Sequence, residues 1–251
     1  MNFSRLLCFI LLSSGCVQPV AARCPSCAVV DGRHPALPRF KPGAERVFII
    51  VPGVLGYGWE WDDAVRALMA APKDDYLVYW WEPWGSVKRA ADGLAETIIR
   101  TLWSTPKQVR EVVVVAHSMG GIVAAHALGR IAVPEDKQLT VLTIGAPFAG
   151  MLGPPFSLDD PLRSPAMMAV MGTFRDYPSP PPRTRIVEYV TSWPADPVMQ
   201  PRYGHAVAPP SIGPPGAERI PVDPKFDHNR IVSKVVLRYL REGKPPGDMH
   251  P

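Results

Sequence analysis

Val112-Val113-Val114-Val115-Ala116-His117-Ser118-Met119-Gly120-Gly121 is the stretch on which the fold turns. Four consecutive valines suit a strand buried on both faces, as in a parallel sheet. The strand runs into A-x-S-x-G, and residues 119–131 (MGGIVAAHALGRI) then read as a helix. A strand, a sharp turn carrying serine and a helix make a nucleophile elbow, with Ala116 in place of the usual first glycine. The turn crowds its own flanks, so only Ala or Gly fits at positions 116 and 120. It lifts the Ser118 hydroxyl clear of the sheet. It also aims the Met119 N–H, at a helix N-terminus where the dipole favours negative charge, toward a reacting oxygen. A plain strand–helix turn with a capping serine is the competing reading. His117 adjoins Ser118, points elsewhere, and is read as a packed residue of the elbow rather than its base.

The same alternation extends in both directions. Residues 47–51 (VFIIV) form a continuous apolar run ended by Pro52-Gly53. Residues 60–71 have helical spacing, 76–81 (YLVYWW) read as a strand, and 86–103 form an amphipathic helix with Leu94, Ile98, Ile99 and Leu102 on its apolar face. Strands follow at 139–144, 186–191 and around 220–222, and an amphipathic helix at 228–241 closes the series. Residues 23–45 are turn-rich and expected to be irregular. Alternating strands and helices specify an α/β domain, with a mostly parallel central sheet and helices on both faces. One segment breaks the rhythm. Residues 151–224 carry more than half of the 31 prolines, and 151–183 also hold Met151, Met167, Met168 and Met171. This Pro/Met-rich insertion reads either as a deformable apolar lid or as a stiff loop packed on the sheet.

Composition sets the bounds. The chain has 251 residues, 47% hydrophobic and 20% charged, enough for a sizeable core and against extensive disorder. A net charge of +4 without a basic run argues against a nucleic-acid partner. Residues 1–22 have the form of a signal peptide: Arg5, a short apolar run at 6–12, and small residues before a cleavage point after Ala22. Ser13-Ser14-Gly15-Cys16 gives a second reading, a lipoprotein anchored through Cys16. Either way the chain is expected to be exported, secreted or periplasmic in the first case, with residues 23–251 forming one domain. Cys24 and Cys27, spaced C-x-x-C, read as a local disulfide in an exported chain; a zinc site would need two further ligands.

With these residues in place the chain resembles the α/β-hydrolase family, and within it the bacterial, triacylglycerol-lipase-like serine esterases. The resemblance runs from about residue 47 to 240. FIIVPGVLGYG (48–58) stands where the family has a strand and a His-Gly loop, with Pro52 in place of His. TIGAPFAG (143–150) is similar to the family's strand and Gly-x-Pro-x-x-Gly turn. DPV (196–198) and DHNRIV (227–232) occupy the late acid and late histidine positions. The resemblance implies a triad of Ser118, Asp196 and His228 in the order Ser, Asp, His, and oxyanion donors at Val54 and Met119. Asp159, Asp160, Asp223 and Asp227 compete for the acid, and His205 for the base. It further implies an exported hydrolase of carboxylic esters, acylglycerols or similar lipids, working through an acyl-enzyme and needing no cofactor or metal. The partner would be a small ester or lipid, with association at a membrane surface or through a lipid anchor. Acyltransferase, thioesterase or amidase chemistry on the same triad stands as the alternative, as does a non-catalytic binding protein of this fold. Trp59, Trp61, Trp80, Trp81 and Trp84 read either as a pocket wall or as core.

Overall fold

Continuous apolar runs need cover on both faces, and the strands of this chain find it in one all-parallel sheet. The computed structural model describes residues 29–32, 40–53, 58–82, 85–148, 177–191, 213–223 and 229–249. The strands are β1 (Val29–Asp31), β2 (Arg46–Val51), β3 (Asp74–Trp80), β4 (Glu111–His117), β5 (Gln138–Ile144), β6 (Thr184–Thr191) and β7 (Glu218–Val222). They form a seven-stranded sheet in the order β1-β3-β2-β4-β5-β6-β7. The helices are α1 (Asp62–Ala70), α2 (Val87–Ser104), α3 (Met119–Ala127) and α4 (Arg230–Glu242).

Each strand sends alternate residues to opposite faces. Ile49, Val51, Val112, Val114 and Ala116 pack with Leu94 and Ile98 of α2 and with Ile122 and Val123 of α3. Phe48, Ile50, Val113 and Val115 pack on the other face with Leu68 of α1 and with Ile231, Val235 and Tyr239 of α4. Helix α3 is itself buried on nearly every side, which explains why its sequence shows no polar stripe. The order of the strands reverses at β2: the chain moves outward to β3 and then returns to the far side of β2 as β4. Ligands of open α/β sheets lie outside the carboxyl ends of the strands at such a reversal. The Pro52–Gly53 turn and Ser118 follow β2 and β4 at that place.

The opposite edge is closed by an ionic clamp. Arg46 donates to Asp74 through Nε (2.6 Å) and Nη2 (3.1 Å), and its guanidinium lies 5.6 Å from the centre of the Tyr239 ring. The Tyr239 hydroxyl donates to Glu111 Oε1 (2.8 Å), which also accepts from Thr140 Oγ1 (2.6 Å). Helix α4 is thereby tied to the starts of β2, β4 and β5.

Two expectations need correction. The stretch 23–45 is not irregular throughout, because Val29–Asp31 pairs in parallel with β3 through Val29↔Val78 and Asp31↔Trp80. The helix expected over 119–131 ends as α-helix at Ala127 and tightens into a 3-10 turn at Leu128–Arg130. A Cβ at Gly129 would stand 2.7 Å from Pro178 Cβ, so the incoming chain leaves no room beside this turn. The leader 1–22, Cys16, the Cys24/Cys27 pair and 151–176 of the insertion lie outside the described residues. Among the described residues no helix is long and apolar enough to cross a membrane.

Candidate active site

Ser118 sits between the end of β4 and the start of α3 with φ 53° and ψ −126°. Only Ser118 and Arg183 among the described non-glycine residues have positive φ. A residue with a side chain held in such a region stores roughly 1–3 kcal/mol, and persists only where its surroundings over-determine it. Those surroundings are visible. The Ser118 N–H donates to the Ile144 carbonyl at the end of β5 (2.9 Å), and the Gly121 N–H donates to the Ser118 carbonyl (2.9 Å).

The small residues of the motif have steric reasons. A Cβ on Gly120 would stand 2.5 Å from the Val51 carbonyl oxygen and 2.6 Å from that of Pro52. One on Gly121 would meet Ala146 Cβ at 2.5 Å, and one on Gly53 would meet Ser118 Cβ at 3.0 Å. The turns after β2, β4 and β5 are thus in backbone contact around one serine. Met119, the first residue of α3, buries its side chain in the core. The first N–H groups of a helix have no intrahelical acceptor, so this end of α3 has the chemistry to receive negative charge beside the Ser118 hydroxyl. His117 is buried with its ring edge-on to Trp61 (6.3 Å between centroids), as expected of a packed elbow residue.

The tryptophans divide. Trp61 and Trp81 are core, Trp80 packs partly buried against it, and Trp59 is 59% exposed. The Trp81 indole N–H donates to the Pro52 carbonyl at 3.0 Å. Trp84 lies outside the described residues, as do Val54, Asp196 and His228. So do Asp159, Asp160, Asp227 and His205, the competing acids and base. Asp223 is described: it follows β7, and its N–H donates to the Met249 carbonyl (3.1 Å). β6 and β7, which precede Asp196 and His228 in the chain, run parallel to β4 and end at the same edge as Ser118.

The most deeply buried of the described charges lies in the sheet, where the sequence reading places only a strand. Glu188 of β6 is 2% exposed and accepts from Arg219 Nε of β7 at 3.1 Å, its register partner on the next strand. The signal was a lone carboxylate inside the apolar run Ile186–Tyr189. Burial also lowers the pKa of His126 in the last turn of α3, whose ring packs against Tyr177 (5.1 Å). A cavity of about 760 Å³ is lined by Glu45, Arg46, Arg110, Lys137 and Arg183 at the starts of the strands. It opens at the edge away from Ser118 and is no part of this site.

A parallel sheet in this order, with a strained serine between a central strand and a buried helix, is the architecture of the α/β-hydrolase fold, and the chain adopts it. Residues 85–163, which take in α2, the elbow, α3 and β5, match the family described as PGAP1-like alpha/beta domain. None of the curated proteins matches the chain. Among solved structures it is similar to a metagenomic carboxyl esterase, at 17% identity and TM-score 0.39 over 64% of this chain and 54% of that one. The chain therefore spans about half the length of that esterase. It is similar to N-formylmaleamic acid deformylase from Pseudomonas putida S16, at 14% identity and TM-score 0.46 over 78% of this chain and 90% of that one. It is also similar to the NocB thioesterase domain from the nocardicin cluster, at 16% identity and TM-score 0.45 over 80% and 96%. Likeness at this level says nothing of the substrate.

Proposed function

We propose that the chain is a serine hydrolase of carboxylic esters, with Ser118 as nucleophile, His228 as base and Asp196 as the acid that orients it. The strained backbone of Ser118, with Gly53 packed against it and Gly120 and Gly121 closing α3 onto the turns after β2 and β5, carries this reading. The turn presents a hydroxyl at a helix N-terminus, at the carboxyl edge of the sheet where open α/β sheets bind ligands. In the reaction, His228 takes the Ser118 proton as Oγ attacks the ester carbonyl. The N–H groups of Met119 and Val54 receive the oxyanion. His228 then protonates the departing alcohol, leaving Ser118 acylated. Water, deprotonated by His228, attacks the acyl carbon, and the acid leaves as Ser118 regains its proton. No step calls for a metal or cofactor.

The resemblance to triacylglycerol-lipase-like enzymes supports acylglycerols or similar lipid esters as substrates. The leader at 1–22 supports export, either free after cleavage at Ala22 or anchored through Cys16. The test is hydrolysis of p-nitrophenyl esters of increasing acyl length by wild type and Ser118→Ala. Turnover that falls at least a thousandfold in Ser118→Ala is the expected result. A wild-type protein, folded by circular dichroism, that hydrolyses no ester of any length overturns the reading. Acyl transfer to added alcohols or amines that outruns hydrolysis would replace it with transferase chemistry.

A further inference from the structure

We infer that the cavity at the starts of the strands is an oxyanion site, in which Arg110 and Arg183 bind a phosphate group, either free or as the monoester of a larger ligand. It lies at the edge of the sheet away from Ser118 and does not depend on the hydrolase reading. Its volume, about 760 Å³, is that of a small-molecule pocket.

A row of cations enters this edge. The residue immediately before each of β4, β5 and β6 is a cation: Arg110, Lys137 and Arg183. All three line the cavity. β5 lies between the other two strands. The Gln138 N–H donates to the Arg110 carbonyl (2.9 Å) and the Leu139 N–H to the Arg183 carbonyl (3.1 Å). The two arginines therefore flank the entry of β5, two strand spacings or roughly 10 Å apart.

The other charges of the cavity are largely engaged. Glu45 pairs with Lys73 (2.7 Å), Arg46 with Asp74, and Glu111 accepts from Tyr239 and Thr140. Lys137 is 5% exposed. Its Nζ donates to the carbonyl (3.1 Å) and hydroxyl (2.6 Å) of Thr105 at the end of α2. Burial lowers the Lys137 pKa, the charge of Asp136 opposes that, and the charge of Arg110 adds to it. Arg110 thus stands close enough to repel a second cation. Among the described residues neither Arg110 nor Arg183 has an ion-pair partner. Glu135 and Asp136, exposed in the turn before β5, oppose an anion, so both arginines are needed to hold one.

The guanidinium geometry selects the ligand. Each planar fork matches two oxygens. One carboxylate fills one fork, whereas a tetrahedral phosphate has oxygens for both and a charge that offsets the pair. Arg183 also has φ 61°, a conformation that glycine and asparagine take most readily. A backbone outlier of this kind is retained where the side chain serves a purpose, and here that side chain is one of the two forks.

The full chain is titrated with inorganic phosphate by isothermal titration calorimetry at low ionic strength, with acetate as the carboxylate control. Wild type is expected to bind one phosphate per chain saturably, and acetate at least about tenfold more weakly. Arg110→Gln and Arg183→Gln should each weaken phosphate by at least about tenfold. Arg183→Gly relieves the positive φ, so it should melt no earlier than wild type and still bind as weakly as Arg183→Gln. Glucose 6-phosphate and vesicles of phosphatidylcholine containing phosphatidic acid are then tested as competitors. Competition by the first assigns the site to a soluble phosphomonoester, by the second to a lipid headgroup, and by neither to the free ion. Four results would overturn the site. They are no saturable phosphate binding, acetate binding as tight as phosphate, affinity unchanged in the arginine variants, and an equal loss in Arg130→Gln, whose arginine pairs with Asp92 outside the cavity. Loss of phosphate in Ser118→Ala would place the ion at the elbow and overturn it as well.

Discussion

Replacing Gly120 by alanine sets two effects against each other, and the geometry decides the sign. Alanine is a better helix former than glycine by about 1 kcal/mol, and Gly120 lies in the first turn of α3. On propensity alone Gly120→Ala would stabilise. The added methyl, however, would stand 2.5 Å from the Val51 oxygen and 2.6 Å from the Pro52 oxygen. Both are main-chain atoms of β2 and the turn that follows it, so no side chain can rotate aside. Relief requires α3 to move away from the sheet or the end of β2 to bend. Overpacking of this kind costs about 1–3 kcal/mol, and contact with two backbone oxygens puts it at the upper end. The net expectation is a loss of about 2 kcal/mol. For a domain of this size that is a fall of about 4–8 °C in the midpoint of thermal unfolding. Because the displacement falls between Ser118 and the turn after β2, ester turnover should drop more than stability does. The assay is thermal unfolding followed by circular dichroism, with Gly247→Ala as the control, since nothing lies within 4 Å of a Cβ there. A Gly120→Ala protein that melts within 1 °C of wild type, or above it, would refute the steric argument for the elbow.

Three further outcomes follow from the structure. Ser118→Gly should abolish turnover yet raise stability by about 1 kcal/mol, because glycine relieves a strain of roughly 1–3 kcal/mol and gives part of it back as unfolded-state entropy; urea titration reads the shift, and a less stable variant would contradict the strain. Tyr239→Phe removes a hydrogen bond to the Glu111 carboxylate, for an expected loss of about 1.5 kcal/mol, measured the same way; a midpoint unchanged from wild type would mean that the clamp contributes nothing. The third concerns alkaline pH. Burial raises the pKa of Tyr79, Tyr177, Tyr189 and Tyr239 above the ordinary value of 10. Their folded forms hold the proton longer than the unfolded chain does, so their stabilisation is whole below pH 10 and is lost as pH rises above it. At pH 11 the loss is about 1 kcal/mol for each tyrosine, or several for the four together, on the order of the total stability of many domains. Tyrosinate absorbance should therefore rise in one cooperative step together with loss of the circular dichroism signal, and a gradual rise with the fold intact would count against it.

Much of the fold is legible because its signals are local. Residues 47–51 and 112–115 are apolar at every position, which a strand tolerates only with both faces covered, and the two faces are indeed filled by different helices. The elbow is legible for the same reason: its turn, its serine and its small residues lie within a few positions of one another. β1 was not, because Val29–Asp31 is three residues long and is a strand only by virtue of pairing with β3. The end of α3 is not, because apolar Leu128 continues the run beyond Ala127, and the close packing of Pro178 on Gly129 in the 3-10 turn comes from a distant part of the chain. Asp196, His228 and Val54 came from family resemblance rather than from any local pattern. A triad joins residues far apart in sequence, and a lone Asp-Pro or His-Asn carries no mark of its partner.

The contacts that no sequence pattern announces are the ones that tie the edge of the sheet together. Gly53 rests on Ser118, Gly120 on the carbonyls of Val51 and Pro52, and Gly121 on Ala146. These contacts join the ends of β2, β4 and β5 into one piece of backbone. Trp81 adds β3 through the Pro52 carbonyl, and the Glu188–Arg219 pair adds β6 to β7. Strain at one residue can be kept only if its neighbours cannot relax toward it, and close-packed backbone relaxes least. Each glycine of the elbow is therefore less a point of flexibility than a point of contact. The conformation of Ser118 is secured by the absence of side chains around it, as much as by the hydrogen bonds it makes.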